Sequence, residues 1–174
     1  MLVRAVNVGG TAKLPMALWR ELATSLGASD VATYIASGNM VCTLPGDPHA
    51  FDRALEQAVH ERCGFFREVI SRSHEQVTAA LDGHPFDVVD PAHSYVCFLA
   101  DEPTPEGVAA ARRLPTGEDR WEVVGREMHV RYAGGAGRPQ MSDAAVGRAL
   151  GVSSTARNFR TVRRLVEMSA PTTA

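Results

Sequence analysis

The chain lacks several features that would assign a protein to a class at once. None of its apolar runs approaches the roughly 20 residues that a membrane-spanning helix needs. The start, Met1-Leu2-Val3-Arg4, passes directly into a strand-like run, so we expect no signal peptide and no membrane association. Charge is nearly balanced, with Lys+Arg 18 against Asp+Glu 20 and a net charge of -2. This balance disfavours a general nucleic-acid-binding surface without excluding a local basic patch.

Residues that form disulfides or hold metals are few and scattered. Cys42, Cys63 and Cys97 are odd in number and flanked by apolar residues, which indicates reduced core thiols in a cytoplasmic protein. The six histidines are dispersed, without the spacing to cysteine or acidic partners that a metal site has. We therefore expect no metal and no cofactor.

Strand-like and helix-like spacings of apolar residues alternate along the chain. This rhythm favours an α+β or open-sheet α/β fold over a helical bundle or a sandwich. The predicted strands are Val3 to Val8, Val31 to Leu44 with an interruption, Phe65 to Ile70, Ser94 to Ala100, and a hairpin of Arg120 to Val124 and Glu127 to Tyr132. Helices are predicted to start near Pro15, Ser73, Thr104, Ser142 and Asn158.

Three short polar segments stand at the ends of apolar runs. They are Asn7-Val8-Gly9-Gly10, Thr33-Tyr34-Ile35-Ala36-Ser37-Gly38-Asn39 and Thr155-Ala156-Arg157-Asn158-Phe159-Arg160-Thr161. Such positions can hold backbone amides and short polar side chains rigidly without burying them. The spacing of the first segment fits neither a phosphate-binding loop of the Walker type nor a dinucleotide fingerprint.

On these segments the chain resembles a bacterial family catalogued as domain of unknown function 1697. The family's opening strand matches Val3-Arg4-Ala5-Val6-Asn7-Val8-Gly9-Gly10, followed by Lys13 and Pro15-Met16, and its two later motifs match residues 33–39 and 155–161. The resemblance implies a ferredoxin-like α/β plait in two linked subdomains, and it brings no established activity. We expect residues 1–90 to form the first subdomain and residues 91–174 the second, with the Pro-rich stretch near residue 85 between them.

The chain departs from the family pattern in three places. Ala5 stands where the family has glycine, and Cys42 where it has an aromatic residue. The family's Gly-Arg-Ser-Lys-like turn is Gly137-Arg138-Pro139-Gln140, without the hydroxyl and the cation. Any anion-binding role of that turn in relatives is therefore in doubt for this chain.

Each segment has a functional and a structural interpretation. Asn7, Gly9, Gly10 and Lys13 could form an anion-binding loop before a helix, or only a tight strand–helix turn. Ser37-Gly38-Asn39 could direct a hydroxyl and an amide into a cleft, or form a β-bulge with Asn39 in a left-handed conformation. If the first two strands run parallel, this segment lies at the same edge as Asn7.

The third segment and the glycine-rich stretch leave similar alternatives. Arg157, Arg160 and Arg164 are predicted to share one helical face that could grip a phosphate, a carboxylate or RNA, or simply face solvent. Asn158 is suited to cap that helix. Residues 134–138 could form a clamp over a ligand or a mobile connection.

The sequence thus predicts a cytoplasmic protein that binds a small anionic or nucleotide-like ligand. The expected site residues, rich in hydrogen-bond donors, are Arg4, Asn7, Gly9, Gly10, Lys13, Ser37, Asn39, Arg157, Asn158 and Thr161. One alternative is an enzyme of unassigned chemistry that uses Ser37, Tyr34 or Lys13. Another is an RNA-binding module, disfavoured by an aromatic content of only 6% and by the charge balance. The sequence does not indicate an oligomeric state.

Overall fold

The computed structural model describes residues 1–7 and 12–171. The chain divides into two compact units, one formed by Met1–His74 with Leu165–Ala174 and the other by Glu75–Arg164. This division falls earlier than the predicted break between residues 90 and 91, and it groups the end of the C-terminal helix with the first unit. Within the described ranges, no helix combines the length and apolar character needed to cross a membrane.

The first unit contains a four-stranded antiparallel sheet with two helices in the order βαββαβ. Its elements are β1 (Leu2–Val3), α1 (Met16–Ser25), β2 (Ser29–Tyr34), β3 (Asn39–Thr43), α2 (Pro48–Cys63) and β4 (Val69–Ile70). The strand order is β2-β3-β1-β4. Because β1 and β2 both pair antiparallel with β3, they run in the same direction and end at the same edge of the sheet.

Both helices of the first unit are set by local sequence signals. Pro15, with a φ of -59°, precedes the first residue of α1, and Trp19 and Ala23 bury the inner face of that helix. Asp47 caps α2 by accepting a hydrogen bond from the Ala50 amide. The buried core also includes Val3, Val6, Leu14, Met40, Phe51, Leu55, Val59 and Val69.

Two buried carboxylates attach α2 to the segment that contains β4. Asp52 accepts hydrogen bonds from the amide and the hydroxyl of Ser71, and Glu56 accepts one from the Val69 amide. Burial raises the pKa of both carboxyl groups, while these hydrogen bonds favour the charged form. Both carboxylates therefore serve the fold.

The second unit repeats the βαββαβ order with the strand order β6-β7-β5-β8. Its plait elements are β5 (Ser94–Leu99), α4 (Pro105–Arg112), β6 (Arg120–Val124), β7 (Glu127–Arg131), α5 (Asp143–Leu150) and β8 (Ser154–Asn158). Helix α3 (His74–Asp82) precedes this plait and helix α6 (Phe159–Ser169) follows it. The predicted α+β fold with two linked plait subdomains is confirmed.

Several boundary signals act as the sequence predicted. Thr104 and Ser142 cap α4 and α5 by accepting hydrogen bonds from the Gly107 and Ala145 amides. Gly125, with a φ of +58°, turns the predicted β6–β7 hairpin. The Asn158 side chain accepts a hydrogen bond from the Thr161 amide, so Asn158 caps α6.

Two strand predictions were wrong in their extent, and one strand was missed. β1 ends at Val3 rather than Val8, since Ala5 and Asn7 have φ values of +45° and +55° that a strand cannot continue; Val8 lies outside the described residues. β4 contains only Val69–Ile70 of the predicted run from Phe65. β8 was missed, and Arg157 lies on it, so the predicted helical face shared by Arg157, Arg160 and Arg164 was wrong.

Candidate functional site

Asn7 joins the loop after β1 to the turn after β2. Its side-chain amide donates to the carbonyls of Leu14 and Ala36, at 2.8 and 2.7 Å, and its oxygen accepts from the Leu14 amide at 2.9 Å. The predicted meeting of this segment with residues 33–39 is therefore confirmed. Both amide hydrogens are used by the chain, so Asn7 positions the loop rather than offering donors to a ligand.

Residues 35–38 form a hairpin turn between β2 and β3, so of the alternatives for Ser37-Gly38-Asn39 the β-bulge does not occur at this place. Tyr34 and Asn39 pair across β2 and β3, and the irregularity in the pairing lies between Ser29 and Ala32 instead. Asn39 has an ordinary backbone conformation and is completely buried, and its amide donates to the Tyr34 carbonyl and the Ser37 hydroxyl. These contacts close the turn.

Positive φ angles concentrate around these two segments. Among the non-glycine residues that the structure describes, Ala5, Asn7, Ala12 and Ile35 have φ between +45° and +55°, and only Asp30 shares this conformation elsewhere. A left-handed alanine or isoleucine costs on the order of 1 kcal/mol or more and persists only where its surroundings enforce it. Such strain is concentrated at functional sites in proteins.

The N-terminus of α1 opens at the same edge without a side-chain cap. Pro15 makes no capping hydrogen bond, and the first turn of α1 contains no acidic residue. α2, α4 and α5 all have a capping side chain. Lys13 is exposed beside this terminus and makes no hydrogen bond or ion pair within the described part of the chain. The first amides of α1 and the ammonium group of Lys13 both favour a negative charge here.

The segment before β4 completes this edge. The Arg4 amide donates to the Glu68 carbonyl, and the Arg67 side chain donates to the Ala5 carbonyl at 3.4 Å. We call the four segments 4–7, 12–15, 35–38 and 65–68 the loop edge. Its charged residues are Arg4, Lys13, Arg67 and Glu68, so three cations face one carboxylate in a chain of net charge -2. Arg4 and Glu68 form an exposed ion pair at 3.0 Å.

The sequence missed Arg67 as a member of this site. Only the strand order places the segment before β4 beside the loop after β1. Gly9 and Gly10, predicted to bind the ligand, lie outside the described residues.

The predicted site residues of the second unit serve that unit's own sheet. Arg157 is 7% exposed, donates to the Thr155 hydroxyl and the Ala156 carbonyl, and has its pKa lowered to about 10 by burial. Asn158 caps α6, and Thr161 is buried. That these residues share one pocket with Asn7 and Asn39 stays a prediction.

The glycine-rich stretch of the second unit is anchored at its ends. The buried carboxylate of Asp119 accepts hydrogen bonds from the amides of Ala133, Gln140 and Met141. The Gln140 side chain accepts one from the Glu118 amide at 3.0 Å. Gln140, one of the departures from the family turn, therefore fixes the loop, which disfavours the mobile clamp considered from the sequence.

Two histidines that the sequence left unassigned pack together in the second unit. The rings of His84 and His129 are 5.0 Å apart and perpendicular, and Phe159 contacts His84 in the same way. His129 is 1% exposed, and none of the described residues forms a hydrogen bond with its Nδ1 atom. Burial and the neighbouring His84 lower the pKa of His129 to about 4. Both rings are typical of a neutral packed cluster.

Burial of neutral His129 predicts a pH-dependent stability. An unfolded histidine titrates near 6.5, so between pH 6.5 and 4 the unfolded chain binds more protons at this position. The contribution of neutral His129 to the free energy of unfolding is fully present above about pH 6.5. It falls by about 3 kcal/mol as the pH drops to 4. We expect urea unfolding to show this loss in the wild type and a flatter profile in His129→Phe. His49→Gln, at an exposed histidine, should follow the wild type; parallel profiles for the wild type and His129→Phe would contradict the assignment.

Within the described residues, no three His, Cys, Asp or Glu side chains converge to hold a metal ion. The loop edge, with its three cations and its positive φ angles, is the candidate ligand site. Its chemistry is that of cationic and amide donors.

The comparisons with known proteins agree with the fold and the opening motifs. The model of a family described as "Protein of unknown function (DUF1697)" matches residues 1–129. The chain belongs to this family. The match spans the whole loop edge of this DUF1697 protein and ends before residues 155–161, so it does not cover the third polar segment.

A solved structure of the conserved bacterial protein SP0830 from Streptococcus pneumoniae is also similar. It is 22% identical, with a TM-score of 0.71, and the alignment covers 97% of this DUF1697 protein and 96% of that chain. At this identity the likeness shows the fold alone. No curated protein matches the chain.

Proposed function

We propose that this protein binds a small anionic ligand, through a phosphate or carboxylate group, at the loop edge of its first unit. The observation that carries the proposal is the charge of that edge, where three cations accompany one carboxylate in a chain of net charge -2. A local positive excess on an acidic protein attracts anions selectively to one place.

The anion is bound by Lys13 and by the first amides of α1. The capping position of α1 is Pro15, which makes no side-chain hydrogen bond to these amides, and no acid lies in the first turn. The positive end of the helix dipole adds to the charge of the ammonium group. Arg4 forms an ion pair with Glu68 at 3.0 Å and borders the site.

Asn7, Ser37 and Asn39 act on the backbone in this proposal and do not contact the ligand. The Asn7 side chain joins the loop after β1 to the hairpin turn, and the hydrogen bonds of the Asn39 side chain to Tyr34 and Ser37 close that turn. Ala5, Asn7, Ala12 and Ile35 have left-handed conformations in the segments around these hydrogen bonds. Preorganisation of that kind reduces the entropy lost when a ligand binds. Arg157, Asn158 and Thr161 are not required.

The test is a calorimetric titration with inorganic phosphate at constant ionic strength. We expect saturable binding that weakens about tenfold in Lys13→Gln, because a charge-assisted hydrogen bond is worth about 1.5 kcal/mol or more. Arg148→Gln removes the same charge from an exposed position on α5 and should bind like the wild type. Absence of binding, or an equal loss in both variants, would contradict the proposal.

The enzyme and RNA alternatives gain no specific support. The Ser37 hydroxyl accepts a hydrogen bond from the Asn39 amide, and an amide cannot act as a general base. The fold resembles that of plait proteins that bind RNA, which is a fold-level analogy only.

A further inference from the structure

Two large apolar side chains are exposed at the loop edge. Phe66 is 52% exposed and Ile35 is 50% exposed. In the part of the chain that the structure describes, the other exposed large hydrophobic residues are Val89 and Val124, both in the second unit. The first unit therefore presents these exposed apolar groups at the edge that also carries Arg4, Lys13 and Arg67.

The strand order places Ile35 and Phe66 on opposite sides of the loop after β1. Ile35 follows β2 and Phe66 precedes β4, and these are the outer strands of the sheet. Three strand spacings separate them, or about 14 Å. The loop with Arg4 follows β1, which lies between those outer strands. This width suits an elongated small molecule with one charged end.

The backbone that carries each apolar side chain is fixed. Arg67 donates hydrogen bonds to the carbonyls of Phe66 and Ala5, and its guanidinium lies 5.5 Å from the centre of the Phe65 ring. Ile35 is held in a left-handed conformation beside Ala36, whose carbonyl accepts from Asn7. Exposed apolar side chains on a fixed backbone are suited to binding, since little ordering is needed.

We propose that the anionic ligand carries a flat aromatic or heterocyclic ring, as a nucleoside monophosphate does, and that the ring stacks on Phe66. The inference rests on the proposed anion site and deepens it. Charge complementarity selects this occupant, because the loop edge that carries both apolar side chains has three cations, Arg4, Lys13 and Arg67, against the single carboxylate of Glu68. A ring stacked on Phe66 with its phosphate at Lys13 uses both features of the edge.

The experiment compares adenosine 5′-monophosphate with ribose 5-phosphate, which has the same phosphate monoester and no base. Calorimetric titrations at constant ionic strength should show the nucleotide binding about tenfold more tightly. Phe66→Ala should abolish this difference while leaving the affinity for ribose 5-phosphate unchanged. Val89→Ala removes an 86% exposed side chain of the second unit and should behave like the wild type.

The results distinguish failure of the ring site from failure of the anion site. Equal affinities for the two phosphates in the wild type would overturn the ring site and leave the anion site intact. An unchanged preference for the nucleotide in Phe66→Ala would also overturn it. Binding of neither phosphate would overturn both proposals.

Discussion

Gly38→Ala is expected to destabilise the first unit by about 4 kcal/mol, which is a large part of a typical stability of 5–15 kcal/mol. Gly38 has a φ of +80°, where any other L residue is strained. A Cβ atom at this position would lie 2.1 Å from Val3 Cγ1 and 2.8 Å from Val6 Cγ2. Both valines are completely buried, so neither can move aside cheaply. Urea unfolding monitored by the fluorescence of buried Trp19 measures the change.

Gly64→Ala is the matched control for this prediction. Gly64 ends α2 with a φ of +74°, and a Cβ atom there would meet nothing within 4 Å. The backbone strain is therefore similar and the steric clash is absent, so we expect a loss of about 1 kcal/mol. If Gly38→Ala and Gly64→Ala lower the free energy of unfolding equally, the steric clash with Val3 and Val6 does not occur and the prediction is wrong.

Asp119→Ala is expected to destabilise the second unit by about 4 kcal/mol. The substitution leaves three amides, those of Ala133, Gln140 and Met141, without their acceptor. An unsatisfied buried donor costs about 1–3 kcal/mol, and water entering the space left by the side chain recovers part of that cost. Hydrogen exchange should accelerate at these three amides as well as in β6 and β7.

Two further variants distinguish the hydrogen bonds of Asp119 from a general effect of losing an acid. Asp119→Asn keeps one acceptor oxygen and should lose less than Asp119→Ala. Asp90→Ala removes an exposed carboxylate that accepts one amide hydrogen bond, from Ala92, and should cost about 1 kcal/mol or less. A loss below 1 kcal/mol in Asp119→Ala would mean that the loop does not depend on this carboxylate.

Much of the fold could be predicted from local signals. Pro15, Thr104 and Ser142 mark helix starts because each satisfies a requirement of the first helical turn within a few residues. β5 is a continuous apolar run, and the β6–β7 hairpin is closed by Gly125. Signals of this kind depend on neighbours in sequence, so one sequence is enough to detect them.

The errors arose where distant parts of the chain decide the structure. β1 is short because the Asn7 side chain bonds to Ala36 and Leu14, which holds the loop away from the sheet. β8 was taken for the start of a helix, since Arg157 and Asn158 also suit a helix terminus; pairing with β5 makes it a strand. The buried state of Arg157 follows from that pairing, and no local pattern indicates it.

The candidate site was predicted in part for the same reason. Proximity of Asn7 to the Ser37-Gly38-Asn39 turn followed from the hypothesis that the first two strands run in one direction, which β3 makes true by pairing with both. Phe66 and Arg67 could not be assigned to the site from the sequence, because that assignment depends on the pairing of β4 with β1. One signal was present in the sequence itself: Lys13 is the single lysine among eighteen basic residues.

That single lysine gives the most direct test of the anion site, by amine-selective acylation followed by peptide mass spectrometry. Lys13 and the amino group of Met1 are the amines of the chain. Met1 precedes β1 at the opposite edge of the sheet, where its amino group donates to the Met40 carbonyl. We predict that inorganic phosphate, and adenosine 5′-monophosphate at lower concentration, slows acylation of Lys13 saturably while Met1 reacts at an unchanged rate. Equal rates at Lys13 with and without either anion, at matched ionic strength, would contradict the account.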